Sequence, residues 1–248
     1  MEHDKKLAVL IDADNVSVRY IKHILDEASN HGIPTYKRIY GDWTSNQMAS
    51  WKSVLLEYSI APIQQYSYTT GKNATDSALI IDAMDILYSG HVDGFCIISS
   101  DSDFTRLASR LREAGMLVIG MGEKKTPKPF VSACERFLYL ENLTTESATT
   151  TVSKAPVEPE KVAMNKEMRQ LIRSIYAVLD DISNEDGWAG LGAVGSILGK
   201  RQPDFDTRNY GYSKLLPLIT ATGAFLIQKK SNTSSVHGNQ YYIKRKNG

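Results

Sequence analysis

Through the first 140 or so residues, short apolar runs alternate with stretches whose apolar positions follow helical spacing. Leu7–Ile11 (LAVLI) predicts a buried strand, and from Val16 to about Ser29 the positions Val18, Ile21, Leu25 and Ala28 trace one helix face. A strand is expected over Pro34–Tyr40, a helix over Ser45–Tyr58 and a weaker strand over Ala61–Tyr66. Thr75–Tyr88 predicts the strongest helix, with Leu79, Ala83 and Ile86 among its apolar positions. Next come strand Gly94–Ser99 (GFCIIS), helix Asp103–Ala114 stopped by Gly115, strand Met116–Met121, helix Pro127–Ala133 and a short strand Phe137–Leu140. Repeated β-α alternation predicts a mostly parallel sheet covered by helices on both faces.

From Thr144 to about Met164 the pattern stops. TTESATTTVSKAPVEPEKVAM has no aromatic residue and no apolar period, and it carries Pro156 and Pro159, which is linker composition. The expected division is a domain over 1–143, a linker over 144–165 and a second domain over 166–248. The second domain has a different plan. Helices are predicted over Met168–Ile182, 191–201 and 213–225, the last capped by Ser213 with Pro217 in its first turns. A hairpin of 225–230 and 240–246 closes it, giving the helices-plus-hairpin layout of a winged helix.

Composition changes this picture little, but charge adds to it. The chain has 42% hydrophobic and 23% charged residues, ordinary for a globular protein. No apolar run reaches the roughly 18 residues of a membrane span. The start MEHDKK with its short apolar run does not resemble a signal peptide. Cys96 and Cys134 sit in apolar segments as core residues, and the expected setting is cytoplasmic, with no membrane partner. The net charge of +1 hides an asymmetry. Residues 1–143 carry 15 Lys and Arg against 18 Asp and Glu, a net −3, whereas 165–248 carry 12 against 7, a net +5. A basic half joined to an acidic one points to a polyanionic partner for the former.

In parallel α/β sheets, ligands bind beyond the carboxyl ends of the strands. Three such segments here deliver carboxylates: Asp12-Ala13-Asp14-Asn15 after the first strand, Ser100-Asp101-Ser102-Asp103 after GFCIIS, and Thr75-Asp76 at the central helix entry. Any one of them can be explained as a helix cap. Together they repel, two carboxylates ~4 Å apart by about 4 kcal/mol at an effective dielectric near 20. Such a cluster must hold protons or a cation. With no His or Cys beside it, the donor set suits Mg²⁺ or Mn²⁺ and phosphodiester chemistry. Around it, Asp82 follows Asp76 by six residues and is expected to point about 120° away, as a hydrogen-bonded support. Asp14 and Ser100 are further supporting candidates. Lys72, in the loop before Asp76, is placed either to meet a phosphate or to stand as a solvated lysine, and Trp43, after Asp42, is placed either to stack a base or to pack.

The segments LAVLIDADNV (7–16), GKNATDSALIIDAMD (71–85) and IISSDSDFTRLASRLREAGMLVIGMG (97–122) resemble the NYN domain, a branch of the PIN-like nuclease superfamily. The resemblance implies a Rossmannoid fold and a metal-dependent ribonuclease with Asp12, Asp76, Asp101 and Asp103 as catalytic and metal-holding residues, and with Asn15 binding or positioning an ion. The second half, through GWAGLGAVGSIL (187–198), PDFDTRNYGYSKLLPLI (203–219) and QYYI (240–243), resembles the LOTUS or OST-HTH domain. That resemblance implies binding of structured or G-rich RNA, with a protein partner as the alternative. Arg201, Arg208, Tyr210, Tyr212 and Lys214 are the candidate contacts, a basic and aromatic cluster suited to phosphates and base faces, with Tyr210 and Tyr212 packing the third helix onto the loop as the alternative for the two tyrosines. The expected function is RNA cleavage with recruitment by the second domain. The alternatives are an inactive RNA-binding scaffold and a phosphotransfer enzyme acting on small molecules.

Overall fold

A computed structural model describes residues 4–66, 74–145, 166–230 and 240–246. The chain divides into two compact units, residues 1–150 and 151–248. Lys72, the body of the expected linker and the expected hairpin loop lie outside the described residues.

The first unit is built on six strands: β1 (Lys6–Asp12), β2 (Ile33–Gly41), β3 (Ala61–Gln64), β4 (Gly94–Ile98), β5 (Leu117–Gly122) and β6 (Arg136–Tyr139). All pair in parallel, in the order β3-β2-β1-β4-β5-β6. The strand order reverses between β1 and β4, so the carboxyl ends of these two strands flank the switch point. Six helices cover the sheet: α1 (Ile21–Ser29), α2 (Ala49–Leu55), α3 (Ala74–Ser89), α4 (Thr105–Glu113), α5 (Lys128–Ala133) and α6 (Leu140–Thr145).

Alternation along β1 sorts the core into two layers. Leu7, Val9 and Ile11 pack with Ile21, Ile24 and Ala28 of α1, Trp51 of α2, and Leu140 and Leu143 of α6. Ala8 and Leu10 pack with Leu79, Ala83 and Ile86 of α3, Leu107 and Leu111 of α4, and Phe130 of α5. Each fully buried large side chain contributes roughly 1.5–3 kcal/mol of transfer free energy. Asp12 continues the Ala8–Leu10 phase, which aims its carboxylate at the face that α3 covers.

The strands and their order along the chain follow the sequence pattern, and the differences lie at element ends and in one additional helix, α6. Single 3₁₀ turns, Val18–Tyr20, Asn46–Met48 and Ser102–Phe104, precede α1, α2 and α4, so these helices start later than their apolar spacing predicts. The apolar pattern does not predict α6. Its sequence LENLTT is mostly polar and only Leu140 and Leu143 enter the core.

The second unit contains α7 (Lys166–Ile182), β7 (Ala189–Gly190), α8 (Leu191–Arg201), α9 (Leu215–Thr222), β8 (Phe225–Lys230) and β9 (Gln240–Arg245). Leu171, Ile175 and Val178 of α7 meet Val194 and Leu198 of α8, Leu218 of α9 and Ile243 of β9 in its core. The sheet is antiparallel in the order β7-β9-β8. α9 begins at Leu215, and Lys214 rather than Ser213 occupies the N-cap position, without a side-chain bond. It ends at Thr222, three residues short of the predicted end, where Gly223 follows with a φ of +64° that suits glycine. Among the described residues, no helix is long and apolar enough to cross a membrane.

Candidate metal centre and nucleic-acid surface

The β1–β4 ladder places Ile11 beside Ile98, so the next residues, Asp12 and Ser99, meet at the open end of the switch point. Ser99 Oγ donates to Asp12 Oδ2 at 2.7 Å, and Asn15 Nδ2 donates to the same oxygen at 2.7 Å. Asp12 Oδ1 accepts the backbone N–H of Asp14 at 3.1 Å. Asp12 is fully buried, and burial, the largest influence, raises its pKa against the lowering effect of the Ser99 and Asn15 bonds. Asn15 thus positions Asp12, while the Asp14 side chain stands exposed at the rim.

Ser99 also accepts the Asp101 N–H at 3.1 Å, and Asp101 Oδ1 accepts the Asp103 N–H at 2.9 Å. Asp101 is therefore the cap of the turn leading into α4, a role equally open to Asp103 from the sequence. Capping by one oxygen of Asp101 does not remove the carboxylate from the cluster. Asp76, in the first turn of α3, comes in from the covering face. Asp76, Asp101 and Asp103 each offer an oxygen within 4.8 Å of the others. Burial first, then the charges of Asp12, Asp101, Asp103 and Asp14, push the Asp76 carboxyl up to about 7. All five aspartates thus act on one point, with Asp12 beside the trio rather than within it.

The other described candidates of the first unit make bonds of their own. Asp82 pairs with Arg38 and accepts the Tyr40 hydroxyl, bracing α3 against β2. Ser100 Oγ accepts the Glu123 N–H at 2.9 Å, tying the β5 exit to the β4 exit instead of orienting Asp101. Gly122 makes that junction possible, since a Cβ there would stand 2.5 Å from the Ser99 carbonyl oxygen. Trp43 is half-buried against the core, and its indole N–H donates to the Ile63 carbonyl at 3.0 Å.

Ser99, which joins Asp12 to the Asp101 turn, is the residue that motif and charge leave unmarked. Strand phase could have found it, because Phe95, Ile97 and Ser99 keep step with Ala8, Leu10 and Asp12 on the α3 face.

In the second unit the expected contacts are largely engaged within the fold. Arg208 grips Asp206 through Nε at 2.8 Å and Nη2 at 2.6 Å, with both side chains mostly buried. Arg201, at the end of α8, pairs with Asp181. Tyr210 and Tyr212 pack on the core, and burial raises the Tyr210 pKa. Lys214 is exposed.

The NYN domain model matches residues 6–141, more than half of the chain and the whole six-stranded sheet. The chain belongs to the NYN family. The OST-HTH/LOTUS domain model follows, over residues 163–237. No curated protein matches the chain. Among solved structures, a protein of unknown function from Vibrio parahaemolyticus is similar at 18% identity and a TM-score of 0.48, over 56% of this chain and 94% of that one. The NYN domain places this chain in the PIN-like nuclease superfamily, and its acidic cluster stands at the switch point of that domain's sheet.

Proposed function

We propose that the protein is a metal-dependent ribonuclease whose OST-HTH/LOTUS domain recruits RNA to the NYN domain. The observation that carries this reading is the convergence of Asp76, Asp101 and Asp103 beside buried Asp12. Three carboxylates this close, with Asp76 shifted to about 7, form a site that a divalent cation would relieve. The donors are all oxygen, which fits Mg²⁺ or Mn²⁺ and not a thiolate- or imidazole-bound metal. Asp76, Asp101 and Asp103 would hold the ion, with Asp12 adding its charge from beneath. When bound, such an ion supplies Lewis-acid activation of water and neutralises charge on a phosphate.

The protein's own residues supply the order of the site. Ser99 and Asn15 fix the Asp12 carboxylate, and the Asp103 N–H fixes that of Asp101. The rim is open at Asp14 and Asp103, which are exposed, so an extended polyanion such as single-stranded RNA has access. The test is incubation of the protein with internally labelled single-stranded RNA in Mn²⁺, in Mg²⁺ and in EDTA. Products are expected with either metal and none in EDTA; intact RNA under all three conditions refutes the reading.

A further inference from the structure

The antiparallel sheet of the second unit has one face in the core, through Phe225, Ile227, Tyr241 and Ile243. Strand alternation turns Leu226, Gln228 and Lys230 of β8 and Gln240, Tyr242 and Lys244 of β9 to the opposite face. The register sets them side by side as Leu226–Lys244, Gln228–Tyr242 and Lys230–Gln240. Leu226 is 44% exposed, and neither it nor Tyr242 belongs to the core of this unit. None of the six is acidic.

The face is organised around Tyr242. The Lys230 ammonium lies 5.0 Å from its ring centroid, and its hydroxyl donates to Gln240 Oε1 at 3.2 Å. Lys230 and Lys244 sit one cross-strand pair to either side, about 7 Å along the strand. Beside Tyr242 a mostly apolar groove of about 520 Å³ opens between Gly190, Gly192, Leu215 and Tyr241. A Cβ at Gly190 or Gly192 would meet nothing within 4 Å, so open space borders the backbone there.

We propose that this outer sheet face binds single-stranded RNA, with Tyr242 as the platform for a base and Lys230 and Lys244 as phosphate contacts. The proposal rests on the recruiting role assigned above to the second domain and names the surface that performs it. An aromatic ring between two lysines supplies stacking and charge, while the amides of Gln228 and Gln240 offer both donor and acceptor to base edges. Charge complementarity favours a polyanion over a protein, since lysine is depleted at protein interfaces and this half of the chain carries a net +5 (12 Lys and Arg against 7 Asp and Glu over 165–248).

The test is fluorescence anisotropy of the full chain with a short labelled single-stranded RNA in EDTA, where binding is read without cleavage. Tyr242→Ala should raise Kd about tenfold, the scale of one base stacked on an aromatic ring, whereas Tyr242→Phe should stay within about twofold. The double variant Lys230→Glu/Lys244→Glu leaves the core untouched. It should weaken binding at least about tenfold and flatten the salt dependence by about 0.7 in slope for each lysine that no longer meets a phosphate. Retained affinity in the double variant overturns the proposal, and so does a wild-type chain with no RNA affinity. A chain that binds through Tyr242 yet cleaves nothing with metal refutes the ribonuclease reading while upholding this surface.

Discussion

Ser99 Oγ donates to Asp12 Oδ2 at 2.7 Å, one residue beyond the last rung between β1 and β4. The same hydroxyl oxygen accepts the Asp101 N–H, so one side chain joins the buried aspartate to the turn that carries Asp101 and Asp103. The acidic cluster is held by this join as much as by the sheet.

Ser99→Ala removes a donor from a carboxylate that water does not reach. The expected cost is about 1–3 kcal/mol of stability, together with a fall in RNA cleavage of roughly tenfold as the Asp101 turn loosens. Ser99→Thr keeps the hydroxyl and should restore most of both. Thermal melting and single-turnover cleavage check this; an alanine variant with wild-type melting and rate would show that the hydroxyl holds nothing.

The raised pKa of Asp76 sets a pH dependence of stability. Its carboxyl titrates near 7 in the folded protein against an ordinary aspartate value of 3.8, so between these values the folded state binds the extra proton. Metal-free protein should therefore lose stability as pH rises from about 4 to about 7. Asp76→Asn should remove that loss and raise Tm in EDTA at pH 8 by about 5 °C. Added Mn²⁺ should stabilise the wild type but not the variant. Melting curves across pH that run parallel for the two proteins would contradict the coupling.

Asp82 lies on the same helix as Asp76 but serves a different structure, the Arg38 and Tyr40 brace. Asp82→Asn should lower Tm by a few degrees, from a loss of about 1 kcal/mol, and leave kcat per folded molecule within about threefold. A loss of activity comparable to that of Asp76→Asn would place Asp82 in the metal centre instead.

Much of this was legible in the sequence, for physical reasons that also explain the misses. The strands LAVLI and GFCII are continuous apolar runs, as strands buried on both faces must be, and the aspartates behind them stand at the strand exits because period and phase fix that edge. Asp82 was readable as a support from the helical angle alone. α6 was not readable, since two leucines among polar residues make too short a pattern. The two-residue strand β7 was invisible for the same reason. Ser99 carries no charge to draw attention, and only its phase with Asp12 marks it. Residue type marks Arg201 and Arg208 as cations, but it does not reveal that they pair with Asp181 and Asp206.

Arg208 gives a direct test of that last distinction. Its Nε and Nη2 both donate to Asp206 Oδ2 in a mostly buried pair, so Arg208→Ala should destabilise the second unit by about 1–3 kcal/mol. RNA affinity of the folded protein at low temperature should change less than about threefold. A large loss of affinity with unchanged melting would return Arg208 to the RNA surface.

Metal-dependent cleavage of RNA is the chemistry proposed for the aspartate cluster. Its most direct test is cleavage of an internally labelled single-stranded RNA by wild type and by Asp101→Asn, each in Mn²⁺, Mg²⁺ and EDTA. The substitution keeps the side chain's size and an oxygen to cap the Asp103 N–H, so the turn should stand while the charge is lost. Metal-dependent products from the wild type, reduced at least about a hundredfold in a folded Asp101→Asn, are the predicted result. Equal cleavage by both proteins, or none by either with RNA still bound, would contradict it.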